Sequence, residues 1–426
     1  MHKILNFLVI LIAIYSCNNV QNSKRDIEDF VPENASIILS INSLDGLKSA
    51  INNNDLLVKT AAFKTLNKAL IPLDSLQSKS PLLVCINNQG SFNEITFITH
   101  QRNLNAQDSL LIPHILLDSI LVASNSKATL ETLKTQSSSS YSNVSKLHQN
   151  SNTFSVYFKA FPVLKSMPHL NKESVFFGFN VTPESIVING TMLNQKLKNK
   201  WFQFFEKLEP QPQSLQRIMP AQSARVKTFN YTDFEQLIRN IDSSGYASKV
   251  APSAKAFFST IKEVGFFETP KGNGIALKSI DISATYETLS SFQNEVSSFR
   301  SVPLFEFTET TMFNAAFGPL LSSVNPTKFI TLDDYLVFSD SKELLELVIS
   351  NHLNKNTLET SYAYQNIQKS LSDEASFQTY FDAQSLGTLL NELFSTTLKK
   401  KDLNAYKRSA IQLIKDDNIV HVNGVI

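Results

Sequence analysis

The twelve residues Leu116–Lys127, LLDSILVASNSK, return downstream as Thr331–Lys342, TLDDYLVFSDSK. Leu117, Asp118, Leu121, Val122, Ser124, Ser126 and Lys127 recur as Leu332, Asp333, Leu336, Val337, Ser339, Ser341 and Lys342. In each copy a strand-like run, SILVA or DYLVF, meets a short polar stretch and then a helical pattern. Asn125 and Asp340 stand where a helix N-cap is expected, because a short side-chain oxygen there accepts from a free N–H of the first turn. Glu343, three residues after Asp340, completes a pattern like a capping box. The stretch therefore reads as a strand-to-helix corner written twice.

Two further echoes occur in the same order. VPENASIILSIN from Val31 is matched by MPAQSARVKTFN from Met219, with Pro32 against Pro220. SIVINGTM from Ser185 is matched by NIVHVNGVI from Asn418, with Asn189-Gly190 against Asn423-Gly424. Three ordered pairs imply a tandem duplication of whole domains, since solenoid and propeller repeats are far shorter. The unequal offsets place an insertion in the second unit, around Phe292–Val324.

The expected fold is α+β: two duplicated domains, each a largely antiparallel sheet with helices packed mainly on one face. Residues 31–208 form repeat unit 1 and 221–426 repeat unit 2, with the proline-rich stretch 209–220 as linker. ASIILSIN, PLLVCIN, EITFITH and FSVYFKAF read as strands, and SVFFGFNVTPESIVINGTM reads as a hairpin. LNQKLKNKWFQFFEKL and KELLELVISNHL carry helical spacing. GIALKSIDISATY reads as one long alternating strand, preceded by a tight turn at Asn273-Gly274.

The N-terminus MHKILNFLVILIAIYSC joins a positive Lys3 to an apolar run that is too short to span a bilayer. This is the layout of a secretory signal. Ile14-Tyr15-Ser16-Cys17 resembles the lipobox of bacterial lipoproteins of the Bacteroidetes type, with Tyr15 bulkier than that family's usual residue. The resemblance implies a signal peptide over 1–16, acylation of Cys17 and a flexible tether over 17–30. Several acyl chains hold a protein firmly at a bilayer. Asn18 is not the aspartate that retains such proteins at the inner membrane, and no acidic cluster follows Cys17. The expected location is the outer membrane, with the body in the periplasm. Asp74-Ser75-Leu76 and Asp108-Ser109-Leu110 resemble the O-glycosylation acceptor of the same group, which makes Ser75 and Ser109 candidate sites. Asp118-Ser119-Ile120 also fits, but Ser119 precedes a core strand and is expected to be inaccessible. The duplicated body resembles poorly characterised exported lipoproteins whose larger members carry a further β-rich domain. A shortened form of such a protein is one expectation for this chain.

Thirty-nine basic and 38 acidic residues nearly cancel, which argues against a nucleic-acid partner. The run Lys399–Lys401 reads as a solvated helix end. With Cys17 acylated, Cys85 has no partner for a disulfide and reads as a buried small hydrophobe. Ser124-x-x-Lys127 and Ser339-x-x-Lys342 carry the spacing of penicillin-recognising enzymes, but the K-T-G strand those enzymes need is absent. The seven histidines are scattered, and no cofactor or metal site is expected. The sequence reading is a non-catalytic envelope lipoprotein, a scaffold or binding module for an envelope protein or glycan. The alternative is a carrier or hydrolase for a hydrophobic or glycan ligand held between the units, for which the 31 phenylalanines are the only hint.

Overall fold

The structure is a computed structural model that describes residues 25–60, 81–89, 92–101, 112–147, 152–161, 173–193, 200–246, 250–290, 293–394, 403 and 408–426. In chain order the strands are β1 (Ile37–Ile41), β2 (Leu82–Gln89), β3 (Phe92–His100), β4 (His114–Leu117), β5 (Ile120–Ser124), β6 (Phe154–Phe158), β7 (Val175–Val181), β8 (Ile186–Leu193), β9 (Gln211–Pro212) and β10 (Arg225–Asn230). They continue with β11 (Ile261–Thr269), β12 (Gly272–Ser279), β13 (Gln293–Phe299), β14 (Val302–Phe307), β15 (Lys328–Leu332), β16 (Tyr335–Ser339), β17 (Glu374–Ala375), β18 (Phe377–Asp382), β19 (Arg408–Asp416) and β20 (Ile419–Val425).

Eighteen of these strands form one sheet, and β9 and β17 pair separately. The first half runs β4-β5-β3-β2-β1-β6-β7-β8 across the sheet. The second half, from the opposite edge, runs β13-β14-β15-β16-β12-β11-β10-β18-β19-β20. β8 and β20 pair and close the two runs into one sheet. Every ladder among the described residues is antiparallel. Apart from the β13–β14 hairpin, the second run connects its strands in the same order as the first, and that hairpin falls where the offsets predict an insertion. Two separate sheets are expected from the sequence. Pairing β8 with β20 instead satisfies the backbone groups that each half would otherwise leave at an edge.

The turns before β1 and β10 agree in detail. Ala35 N donates to Pro32 O and Ser223 N to Pro220 O, both at 3.0 Å. Ser36 N then bonds Ile86 O at 2.9 Å, as Ala224 N bonds Glu268 O at 2.8 Å.

Helices cover both faces of the sheet, which corrects the expectation of one. On the front face, helix Phe234–Ser243 is capped by Asp233 and buries Phe234, Leu237, Ile238 and Ile241 at helical spacing. Helices Leu44–Asn53 and Ala383–Phe394 join it in one core that runs through both halves. On the back face, helix Lys127–Thr135 packs on the first half, and helices Lys342–Leu353 and Tyr362–Gln368 on the second. The cause is visible in β5 and β16, whose residues are buried at every position. A strand that is apolar on both sides needs cover on both sides.

Other expectations shift as well. Part of the expected linker 209–220 joins the core: Leu215, Ile218 and Met219 are fully buried on the back face. The buried Glu263 carboxylate accepts from Ser214 N at 2.8 Å, Ser214 Oγ at 2.7 Å and Leu215 N at 3.2 Å. Part of the expected tether is docked too, with Ile27 and Phe30 buried and Arg25 Nε donating to Asp118 Oδ2 at 2.6 Å. β8 runs on to Leu193, where a helix is expected; beyond it, helix Lys200–Gln203 is described. β12 stops at Ser279, because Asp281 caps a new helix by accepting from Ser283 N and Ala284 N at 2.9 and 3.1 Å. Asn273 and Gly274 lie inside β12, and the preceding turn is at Pro270-Lys271.

The two halves interlock. Phe202, Phe204, Phe205 and Leu208, which follow β8, enter the front core. Trp201 meets Phe377 edge-on at 5.0 Å, and Lys415 of β19 pairs with Glu206 at 3.3 Å.

Candidate functional site

Cys17, Ser75 and Ser109 lie outside the described residues. Ser119 occupies the β4–β5 turn at φ 70° and is exposed, contrary to the sequence expectation.

The repeated corner is built alike in both copies. Ser124 and Ser339 are fully buried. Ser124 Oγ donates to Ile95 O at 3.2 Å and accepts from Ser126 N at 3.1 Å. Ser339 Oγ donates to Asn273 O at 2.8 Å and accepts from Ser341 N at 3.0 Å. Both hydroxyls are committed to backbone, and neither faces its lysine as a nucleophile faces a base. Lys342 pairs instead with Glu346 at 3.4 Å. The N-caps are Ser126 and Ser341, one residue beyond the expected Asn125 and Asp340; their Oγ atoms accept from Thr129 N and Leu344 N. Asn125 Oδ1 accepts from Ile95 N at 2.9 Å and ties the corner to β3.

Cys85 is buried, and burial pushes its thiol well above the ordinary range. His352 sits 3.1 Å from Asp333, and Asp334 pairs with Lys278. Among the described residues no group of three or more His, Cys, Asp or Glu side chains converges as a metal site would require.

A concave site does exist where the halves meet. On the front face, β6, β7 and β8 of the first half and β20, β19 and β18 of the second floor a cavity of about 120 Å³. The first half contributes Phe154, Phe158, Phe161, Phe177 and Phe179, with Leu56 and Leu57. The second contributes Phe381, Ile411 and the helix residues Leu386, Leu389 and Leu390. Phe154 and Phe179 stack at 4.7 Å between ring centroids, and Phe158, Phe161 and Phe177 meet edge-on. Gly190 and Gly424 let their neighbours pack close: a Cβ on Gly190 would lie 2.6 Å from the Phe177 ring, and one on Gly424 would lie 3.3 Å from Ile188. Among the described residues no charged side chain lines the cavity.

The back of the same junction is polar. A groove of about 430 Å³ is lined there by Asn152, Asn189, Thr191, Ser372, His421 and Asn423. Strand alternation separates the two chemistries, since successive side chains of β8 and β20 point to opposite faces. The phenylalanine alternation in FSVYF and VFFGF was the available signal for the cavity. Which strands those faces would meet was not.

Among the described residues no helix is long and apolar enough to cross a membrane. No family model, curated protein or solved structure matches this chain.

Proposed function

We propose that this chain is a lipid-anchored binding module of the bacterial cell envelope, built from two duplicated α+β units, which takes up an apolar ligand at their junction and performs no catalysis. The cavity carries the reading. It is concave, its walls come from both halves, and its lining is almost wholly aromatic and aliphatic. An apolar cavity of about 150 Å³ stays dry and binds a benzene-sized guest, so this one suits a single ring or a short hydrocarbon segment.

The duplication is supported by the shared strand order, the matching turns after Pro32 and Pro220, and the matching Ser124 and Ser339 corners. The anchor rests on the apolar run and Cys17, and the outer-membrane, periplasm-facing location on the residues after it.

Titration of the protein with benzene, followed by methyl NMR, tests the binding role. Saturable shifts at Leu386, Leu389 and Leu390 that vanish in Leu390→Trp support it; shifts elsewhere, or none, overturn it. The anchor is tested separately, by metabolic labelling with an alkyne fatty acid in wild type and Cys17→Ala. Label absent from wild type, or kept by Cys17→Ala, removes the anchor from the reading.

A further inference from the structure

One residue in the cavity floor does not fit an entirely apolar site. Ser409, in β19, pairs across the ladder with Phe381 of β18. It is 2% exposed, and its Oγ has no hydrogen-bond partner. Buried hydroxyls are nearly always bonded, because leaving one unmet forfeits its hydration without return. Ser124 and Ser339, buried in strands of the same sheet, both reach a backbone carbonyl. Among the described residues that line the cavity, Ser409 alone carries such an orphaned side-chain atom. Alanine would serve as well for packing, and Ala410 stands beside it. Oγ is covered in the rotamer shown, so a partner held in the cavity meets it only after the side chain turns about χ1.

We infer that Ser409 Oγ is the polar anchor of the ligand, which is then a short hydrocarbon chain or ring bearing one neutral hydroxyl or carbonyl group. This rests on the proposed reading of the cavity as a ligand site and names the chemistry of what enters it. A serine hydroxyl both donates and accepts, so an alcohol or a ketone can meet it after rotation about χ1. A carboxylate or an ammonium group cannot be accommodated in the same way. Among the described residues no opposite charge lines the cavity, and an ion moved there would lose its hydration uncompensated.

The test compares hexane with 1-hexanol on wild type, Ser409→Ala and Ser409→Thr, each titrated by methyl NMR. Ser409→Ala is expected to weaken 1-hexanol about fivefold, the ordinary worth of one hydrogen bond, and to leave hexane unchanged. Ser409→Thr keeps the hydroxyl and is expected to retain the preference for the alcohol. Unliganded Ser409→Ala is expected to melt no lower than wild type, since it removes an unmet polar group. If Ser409→Ala weakens both ligands equally, or neither, the anchor is overturned while the cavity stands. If wild type binds neither hexane nor 1-hexanol, the cavity reading itself falls and the anchor with it.

Discussion

Asn189 and Asn423 stand directly opposite each other across the β8–β20 ladder. On either side Ile188 pairs with Gly424, and Gly190 with Val422, so the Asn-Gly step of one strand meets the same step of the other running in reverse. The two halves thus meet about a local two-fold through these asparagines, edge to edge. Asn423 Nδ2 also reaches Gln412 Oε1 at 3.2 Å.

Charges placed at this pair should report on the join. Asn189→Asp with Asn423→Asp is expected to be less stable than the two single changes predict, by about 0.2–1 kcal/mol, as like charges directly opposite repel. Asn189→Lys with Asn423→Asp should reverse the sign. Urea unfolding of the full cycle at low and high salt measures both, and a coupling of zero would separate the strands.

Gly190 lies under the Phe177 ring, with Phe176 O 3.1 Å from where a Cβ would stand. Gly190→Ala therefore overpacks the front face, at an expected cost of about 1–3 kcal/mol. Displacing Phe177 also disturbs the cavity wall, so benzene affinity should fall. Thermal melts and the benzene titration check the two effects. An unaltered affinity would show that Phe177 does not shape the guest's position.

Glu263 should make stability depend on pH. Burial pushes its carboxyl up from 4.5 to about 7, against the lowering effect of the Ser214 and Leu215 donors and of Lys262. The folded state therefore holds a proton that the unfolded chain releases. The contribution is fully present below about pH 4.5 and is lost as pH rises through about 7. Over that window it amounts to about 3 kcal/mol. Chemical denaturation of Glu263→Gln between pH 4.5 and 8 should lack this decline. A slope equal to that of wild type would mean that Glu263 titrates at its ordinary value in the fold.

The helix Lys342–Leu353 should distinguish its observed cap from the neighbouring residue. Ser341→Ala removes the oxygen that accepts from Leu344 N at 3.1 Å and is expected to cost about 1 kcal/mol. Asp340→Ala, at an exposed residue before the cap, should change stability by less than about 0.5 kcal/mol. Equal losses in urea midpoints would show that both residues cap the helix.

Much of this architecture is legible in the chain because it is local. ASIILSIN, PLLVCIN and FSVYFKAF read as strands and form β1, β2 and β6, and the repeated twelve residues mark the strand-to-helix corner. Where local signals compete, the reading slips by a residue or a turn. Asn125 and Ser126 are both good caps, and only contact with β3 draws Asn125 away. The prolines of 209–220 mark a linker, and Leu215, Ile218 and Met219 within it find a core they could not advertise.

The sequence by itself determined the strands, the ordered echoes and the alternation that puts phenylalanine on one face of β6 and β7, because periodicity along a chain is set by backbone geometry. Tertiary structure alone decided that β8 meets β20, that both faces are roofed, and that Ser409 lies in the floor of a phenylalanine-lined cavity without a partner. Those outcomes depend on which distant surfaces come together, and a chain records its own faces but not the faces they will meet.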